Sequence, residues 1–189
     1  MSEAIPPDAG MRRRILNLVQ AYPGLHLREI ARRIHTNPHL IEYHLAALER
    51  LDLVTTRQEG GYRRLFPVTG PRATLLQQEQ RWLSLLRQPV PLAVALHLLE
   101  RESAQHRDLA QVVHVTKATL THHLKSMENV GIITREPPET GRVFRLIDAP
   151  RVLALLRAFQ PTPDLLSAYS DMWTEIFGSV RDRLPDDGA

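Results

Sequence analysis

The stretch Arg28–Thr55, REIARRIHTNPHLIEYHLAALERLDLVT, comes back further along the chain as Arg107–Thr134, RDLAQVVHVTKATLTHHLKSMENVGIIT. A slide of 79 residues aligns the two without a gap. Identities fall at Arg28/Arg107, Ala31/Ala110, His35/His114, His44/His123, Leu45/Leu124, Glu49/Glu128 and Thr55/Thr134. Apolar matches fill the spaces between them: Ile30/Leu109, Ile34/Val113, Ile41/Leu120, Leu48/Met127, Leu51/Val130, Leu53/Ile132 and Val54/Ile133. Chance does not hold apolar classes in one register this long, so the chain contains a duplicated unit. One-residue adjustments on either side are expected to extend the match to the whole unit.

Each copy reads as three helices and a hairpin. In the first, Ile15, Leu16, Leu18 and Val19 give a short helix ended by Tyr22-Pro23-Gly24. Leu27, Ile30, Ala31 and Ile34 follow at spacings of three and four, which predicts a second helix. Asn37 suits an N-cap and Pro38 the first helical position, where its missing N–H costs little. The third helix then carries Ile41, Leu45, Leu48 and Leu51 on one face. Leu53–Thr56 and Tyr62–Phe66 read as strands around a turn at Gln58-Glu59-Gly60-Gly61. In the second copy the helices are expected at Val94–Leu99, Arg107–Val113 and Lys117–Val130. The strands are expected at Ile132–Arg135 and Arg142–Ile147, around Pro137-Pro138-Glu139-Thr140-Gly141. Three helices followed by a hairpin describe a winged helix.

The expected fold is therefore mostly α with small β wings: two tandem winged helix-turn-helix domains joined by a helix, plus a C-terminal amphipathic helix. The boundaries read 11–69, 70–91 for the linker helix, 92–149, and 150–184 for the C-terminal helices. Within the linker, Ala73–Arg87 is predicted helical and Pro89 and Pro91 are expected to end it. Asp164–Arg183 is predicted as one last helix bearing Leu165, Leu166, Tyr169, Met172, Trp173, Ile176 and Phe177. That face is expected to find too few neighbours in its own small unit. It would pack on a second subunit, giving a homodimer, or on the linker helix.

Net charge over the 189 residues is only +3, but it is unevenly spread. Met11–Pro67 holds ten Arg against five acids, whereas Ala93–Ala149 holds seven bases and seven acids. A basic first unit points to a polyanion partner. The chain has no Cys, which removes disulfides, thiolate metal sites and cysteine nucleophiles together. No apolar run approaches the roughly 20 residues of a membrane span, and Met1–Gly10 lacks the pattern of a signal peptide, so a cytoplasmic location is expected. Glycine-rich phosphate loops, HExxH and nucleophile elbows are all missing, and neither an enzyme nor a cofactor is expected.

The segments Ile41–Leu48 and Leu120–Met127 resemble the reading-helix pattern of ArsR and MarR-like winged-helix regulators: an apolar residue, two polar ones, then His-Leu. Val130-Gly131-Ile132-Ile133 completes the pattern in the second copy. The resemblance implies a sequence-specific regulator that binds double-stranded DNA. Its base-reading candidates are Lys117, Thr119, Thr121, His122 and Lys125 in the second copy and His39, Glu42 and Tyr43 in the first. Glu42 departs from the pattern: a carboxylate there accepts from cytosine N4 or pairs with a neighbouring Arg. Arg63, Arg64, Arg142 and Arg145 stand in the wings, where arginines reach the minor groove or phosphates or else form the ordinary surface charge of a solvated hairpin. Arg12-Arg13-Arg14 is read as opening the first helix, an arrangement accounted for by an external anion or by a solvated arm. His44 and His123 are assigned a structural or phosphate-facing role. Metal binding by the His122-His123 pair is disfavoured, because adjacent helical residues point about 100° apart. The alternative to a DNA regulator is a protein–protein adaptor or architectural chromosome-segregation protein with the same tandem fold.

Overall fold

Leu27, Ile30, Ala31 and Ile34 are all buried on one face of α2 (Leu27–Ile34), as their helical spacing requires. The helix starts behind His26, whose Nδ1 accepts from the Glu29 amide at 3.2 Å, and ends on His35 in the left-handed region. α3 (Pro38–Arg50) begins with Asn37 Oδ1 accepting from the His39 amide at 2.8 Å and with Pro38 in the first turn. Its inward face is Ile41, His44, Leu45, Ala47 and Leu48. α1 (Pro7–Ala21) packs Ile15 and Val19 against these two helices. The hairpin of β1 (Val54–Glu59) and β2 (Tyr62–Pro67) adds Val54 and Leu65 to the same core. The computed structural model describes residues 7–59, 61–68, 75, 77–136 and 143–181, in two units that meet between Ser84 and Leu85.

α4 (Gln77–Leu86) buries Trp82 and Leu83 in the first unit. Gly24 lies against α4 in a backbone conformation that favours glycine, while the space beside it would admit a Cβ in ordinary contact. Its φ is +87°, and a Cβ there would stand 3.4 Å from the Ser84 amide nitrogen and 3.5 Å from the Phe66 ring.

The second unit repeats the plan with α5 (Pro89–Arg101), β3 (Ser103–Gln105), α6 (His106–Val113), α7 (Lys117–Asn129), β4 (Ile133–Arg135) and β5 (Val143–Leu146). α8 (Ala149–Ala158), α9 (Pro163–Ala168) and α10 (Ser170–Arg181) follow. α5 is buried along most of its length, from Val90 through Leu96 and at Leu98. The cause is its central position: α6, α7, β3, β5, α8 and α10 all pack on it.

The duplication is tighter in three dimensions than in sequence, and the expected one-residue adjustments are not needed. In the wings, Thr55 pairs with Phe66 and Thr134 with Arg145, in one register. On the other edge of the second strand, His26 bridges Arg64 as Gln105 pairs with Val143. His35 and His114 both sit in the left-handed region after their helices, and Asp52 and Gly131 do so after α3 and α7. Ile15 and Val19 are matched by Val94 and Leu98, all fully or almost fully buried.

Several expectations need correction. The linker helix ends at Leu86, ahead of Pro89 and Pro91 as expected, but α5 starts at Pro89 and not at Val94: the two prolines also open it, where a first-turn proline loses no intrahelical bond. The linker helix has described residues only from Gln77, so Ala73 lies outside them. β3 was not foreseen, because three residues without apolar alternation carry no strand signal. α1 starts at Pro7, so Arg12-Arg13-Arg14 lies inside the helix rather than at its positive end. Arg14 Nη2 donates to Ile34 O at 3.2 Å, satisfying a carbonyl at the end of α2. The last helix is two, broken around Tyr169, and α10 has an intrachain partner in α5. Residues 182 and 183 lie outside the described residues, as do Gly60 and the Pro137–Gly141 turn. No single described helix is long and apolar enough to cross a membrane.

Candidate nucleic-acid interface

The residues of the third helix that do not face the core form an outward stripe. On α3 this stripe is His39, Glu42, Tyr43, Ala46 and Arg50, all exposed. At equivalent positions on α7 it is Ala118, Thr121, His122, Lys125 and Asn129, also exposed. The packing is shared and the outward chemistry is not. The first stripe mixes a carboxylate with an aromatic ring, and the second is polar and basic.

Each stripe borders a cleft walled by the start of the second helix. In the second unit the cleft encloses about 940 Å³ and is lined by His106, Arg107, Lys117, Thr121, Lys125, Glu128 and Arg135, with Leu124 and Phe144 among its apolar residues. In the first it encloses about 410 Å³, lined by His26, Arg28, Glu42, Tyr62 and Arg63 among others. Arg28 and Arg107 occupy the same place in both and are exposed. Neither was selected from sequence, although their identity across the repeat was visible.

The sequence-selected residues divide by environment. Lys117, Thr119, Thr121, His122 and Lys125 are exposed on α7. Thr121 Oγ1 donates to Lys117 O at 2.8 Å and lies 3.1 Å from His106 Nε2, so α6 and α7 are joined at the cleft. Thr119 Oγ1 is 2.8 Å from Thr116 Oγ1, the hydroxyl that caps the helix. His39 Nδ1 stands 3.6 Å from Glu42 Oε2, and Tyr43 packs edge-on to His44.

The wing arginines are the main correction. Arg64 is 4% exposed, and its Nη1 donates to Gly24 O at 2.9 Å, so it belongs to the core and not to a phosphate contact. Arg63 is half-buried and holds Glu49 through both carboxylate oxygens, at 3.0 and 2.8 Å. Arg145 is half-buried and paired with Glu136. Arg142 lies outside the described residues. Glu49 and its repeat Glu128 do the same work: each ties the end of the third helix to a wing strand, Glu49 to Arg63 and Thr56, Glu128 to Arg135. His44 is 2% exposed and cannot face a phosphate. His123 is half-buried, and burial first, then His122, hold its ring below the usual histidine range. Among the described residues no group of three or more His, Cys, Asp or Glu is placed to hold a metal ion.

His26 stands at the joint between α2 and the wing. Its ring centroid lies 5.0 Å from that of Tyr62, and its Nδ1 must carry a lone pair to cap α2. Burial first, then the Arg64 guanidinium, hold its ring below the usual range, against the opposing pull of Glu29. With the folded value depressed, the unfolded chain binds the proton more readily. The stabilisation is fully present above about pH 6.5, and is lost as pH falls through the lower folded value. His26→Gln, which installs the residue of the second copy, is expected to flatten the decline in unfolding temperature between about pH 7 and about pH 5. An identical decline in both proteins would show that the His26 proton is not linked to folding.

Two winged helix-turn-helix units in series define the class of the protein, and comparison with known sequences agrees. Residues 10–55 match the family model described as winged helix-turn-helix DNA-binding, and residues 95–135 match the bacterial regulatory protein, arsR family. The chain is 25% identical over 137 residues to the uncharacterized HTH-type transcriptional regulator MJ1398 of Methanocaldococcus jannaschii, covering 72% of this chain and 33% of that protein. It is 31% identical over 83 residues to the HTH-type transcriptional repressor SmtB of Mycobacterium tuberculosis, covering 44% of this chain and 60% of that protein. The chain thus spans less than two thirds of either relative. It is a tandem winged helix-turn-helix protein resembling ArsR-like transcriptional regulators.

Proposed function

We propose that the chain is a transcription regulator that binds double-stranded DNA, with α3 and α7 each entering a major groove. The observation that carries this reading is the outward face of α7. Lys117, Thr121, His122 and Lys125 are exposed along it, beside a cleft rimmed by Arg107 and Arg135. Donors of this kind suit guanine O6 and N7 and the phosphates flanking them, and a helix of this size fits the major groove. Arg28 and Arg107, each at the start of the helix before the reader, are suited to hold the backbone on both units, since phosphate contacts set register and base contacts specify. The half-buried apolar side chains of α10 support a homodimer in which a second copy covers the part of that face left open by α5.

With about four to six Arg and Lys neutralising phosphates, log affinity is expected to fall against log salt with a slope of roughly −4 to −5. Gel shifts of the full chain on duplex DNA across a salt series read this directly. A flat dependence would sink the DNA reading and leave the adaptor.

A further inference from the structure

The two outward stripes stand on equivalent positions but differ in chemistry, and the difference centres on Glu42. It is the counterpart of Thr121, is 53% exposed in its side chain, and lines the cleft beside Arg28. An acid here weakens attraction to any polyanion, in a unit that is otherwise basic. It can gain only from a hydrogen-bond donor. In the major groove the base donors are the amines of cytosine N4 and adenine N6. Adenine presents the N7 acceptor beside its amine, which repels a carboxylate, whereas cytosine presents its amine with no acceptor of its own alongside. His39 Nδ1 stands 3.6 Å from Glu42 Oε2, and with its side chain half exposed the carboxylate remains accessible to a base donor.

We infer that Glu42 is a specificity-determining residue of the first unit, accepting a hydrogen bond from the N4 amine of a cytosine in the major groove. This rests on the DNA-binding reading above and adds a base identity to it. The second unit, with Thr121, His122 and Lys125 in the matching places, has no carboxylate in its stripe and is expected not to share the preference.

The experiment selects preferred duplexes from a randomised pool with the full chain, then measures competition binding for the chain, for Glu42→Gln and for Glu42→Thr. The exposed position leaves the core of all three proteins intact. Cytosine is expected at one base pair, favoured by about 5- to 10-fold over the other bases. Glu42→Gln is expected to move the preference there to adenine, whose N6 and N7 suit an amide, and Glu42→Thr to abolish it. If both variants bind every duplex more tightly and keep the same base preference, the carboxylate only repels phosphates and the inference is overturned. A selected site with no cytosine dependence overturns it while sparing the regulator reading. If the full chain binds no duplex at any salt, the regulator reading and this inference fall together.

Discussion

Arg64→Ala is expected to destabilise the first unit by about 2–3 kcal/mol while leaving the salt dependence of DNA binding unchanged. The guanidinium is buried, and it donates to the carbonyl of Gly24, the left-handed residue against which α4 closes. Alanine removes this charged donor and leaves a buried carbonyl to lose its partner, and it also removes a packed aliphatic stem. Urea unfolding of the full chain reads the loss, and a salt series on duplex DNA reads the binding. An unchanged unfolding midpoint with a salt slope flattened by about one unit would return Arg64 to the phosphates.

The pair Arg63-Arg64 shows how a site residue can be misread from a sequence that contains the answer. Successive residues of a strand point to opposite faces, so two adjacent wing arginines cannot both reach outward. Leu65 and Phe66 both being buried then made the face of Arg64 harder to choose, because β2 is covered on both sides near its end. The core, by contrast, was readable almost position by position, except that Leu51, expected on one face with Ile41, Leu45 and Leu48, lies past the end of α3 and is exposed. Ile30, Ile34, Ile41, Leu45 and Leu48 are buried together with their counterparts Leu109, Val113, Leu120, Leu124 and Met127, as helical spacing demanded. The cap at Asn37 was equally plain, since its chemistry is local.

What the sequence concealed depends on distant partners. Glu49 and Glu128 are identical across the repeat, but only the folding of the wing against the third helix brings Arg63, on the return strand β2, and Arg135, on the first strand β4, to them. These clasps are half-exposed and modest in energy. β3 forms only because β5 offers it an edge. Arg28 and Arg107 gain meaning from the cleft they border, not from their neighbours in the chain.

The C-terminal segment carries the last and largest expectation. Ending the chain after Phe159 is expected to destabilise the second unit by about 3–5 kcal/mol, contrary to the sequence expectation that α10 lacks a partner in its own unit. α10 packs on α5, with Met172, Trp173, Ile176 and Phe177 half-buried, and Trp173 stacks on Phe177 at 4.1 Å. Half-burial of four such side chains is worth about 1 kcal/mol each, and the figure is an upper bound because an unfolded chain already hides some apolar area. The segment also brings Gln160, whose carbonyl accepts from the buried Arg87, and Thr162, which is 3% exposed. Removing it would uncover α5, the helix on which α6 and α7 are mounted, so the second reader should lose its seat before the first is affected. Urea unfolding followed together with light scattering separates the two duties of α10. A truncated chain that unfolds early and no longer pairs fits a helix that serves both α5 and a second copy. A truncated monomer with an unchanged midpoint would mean that α10 acts only between copies, and a full chain that scatters as a monomer would remove the homodimer while leaving the packing on α5.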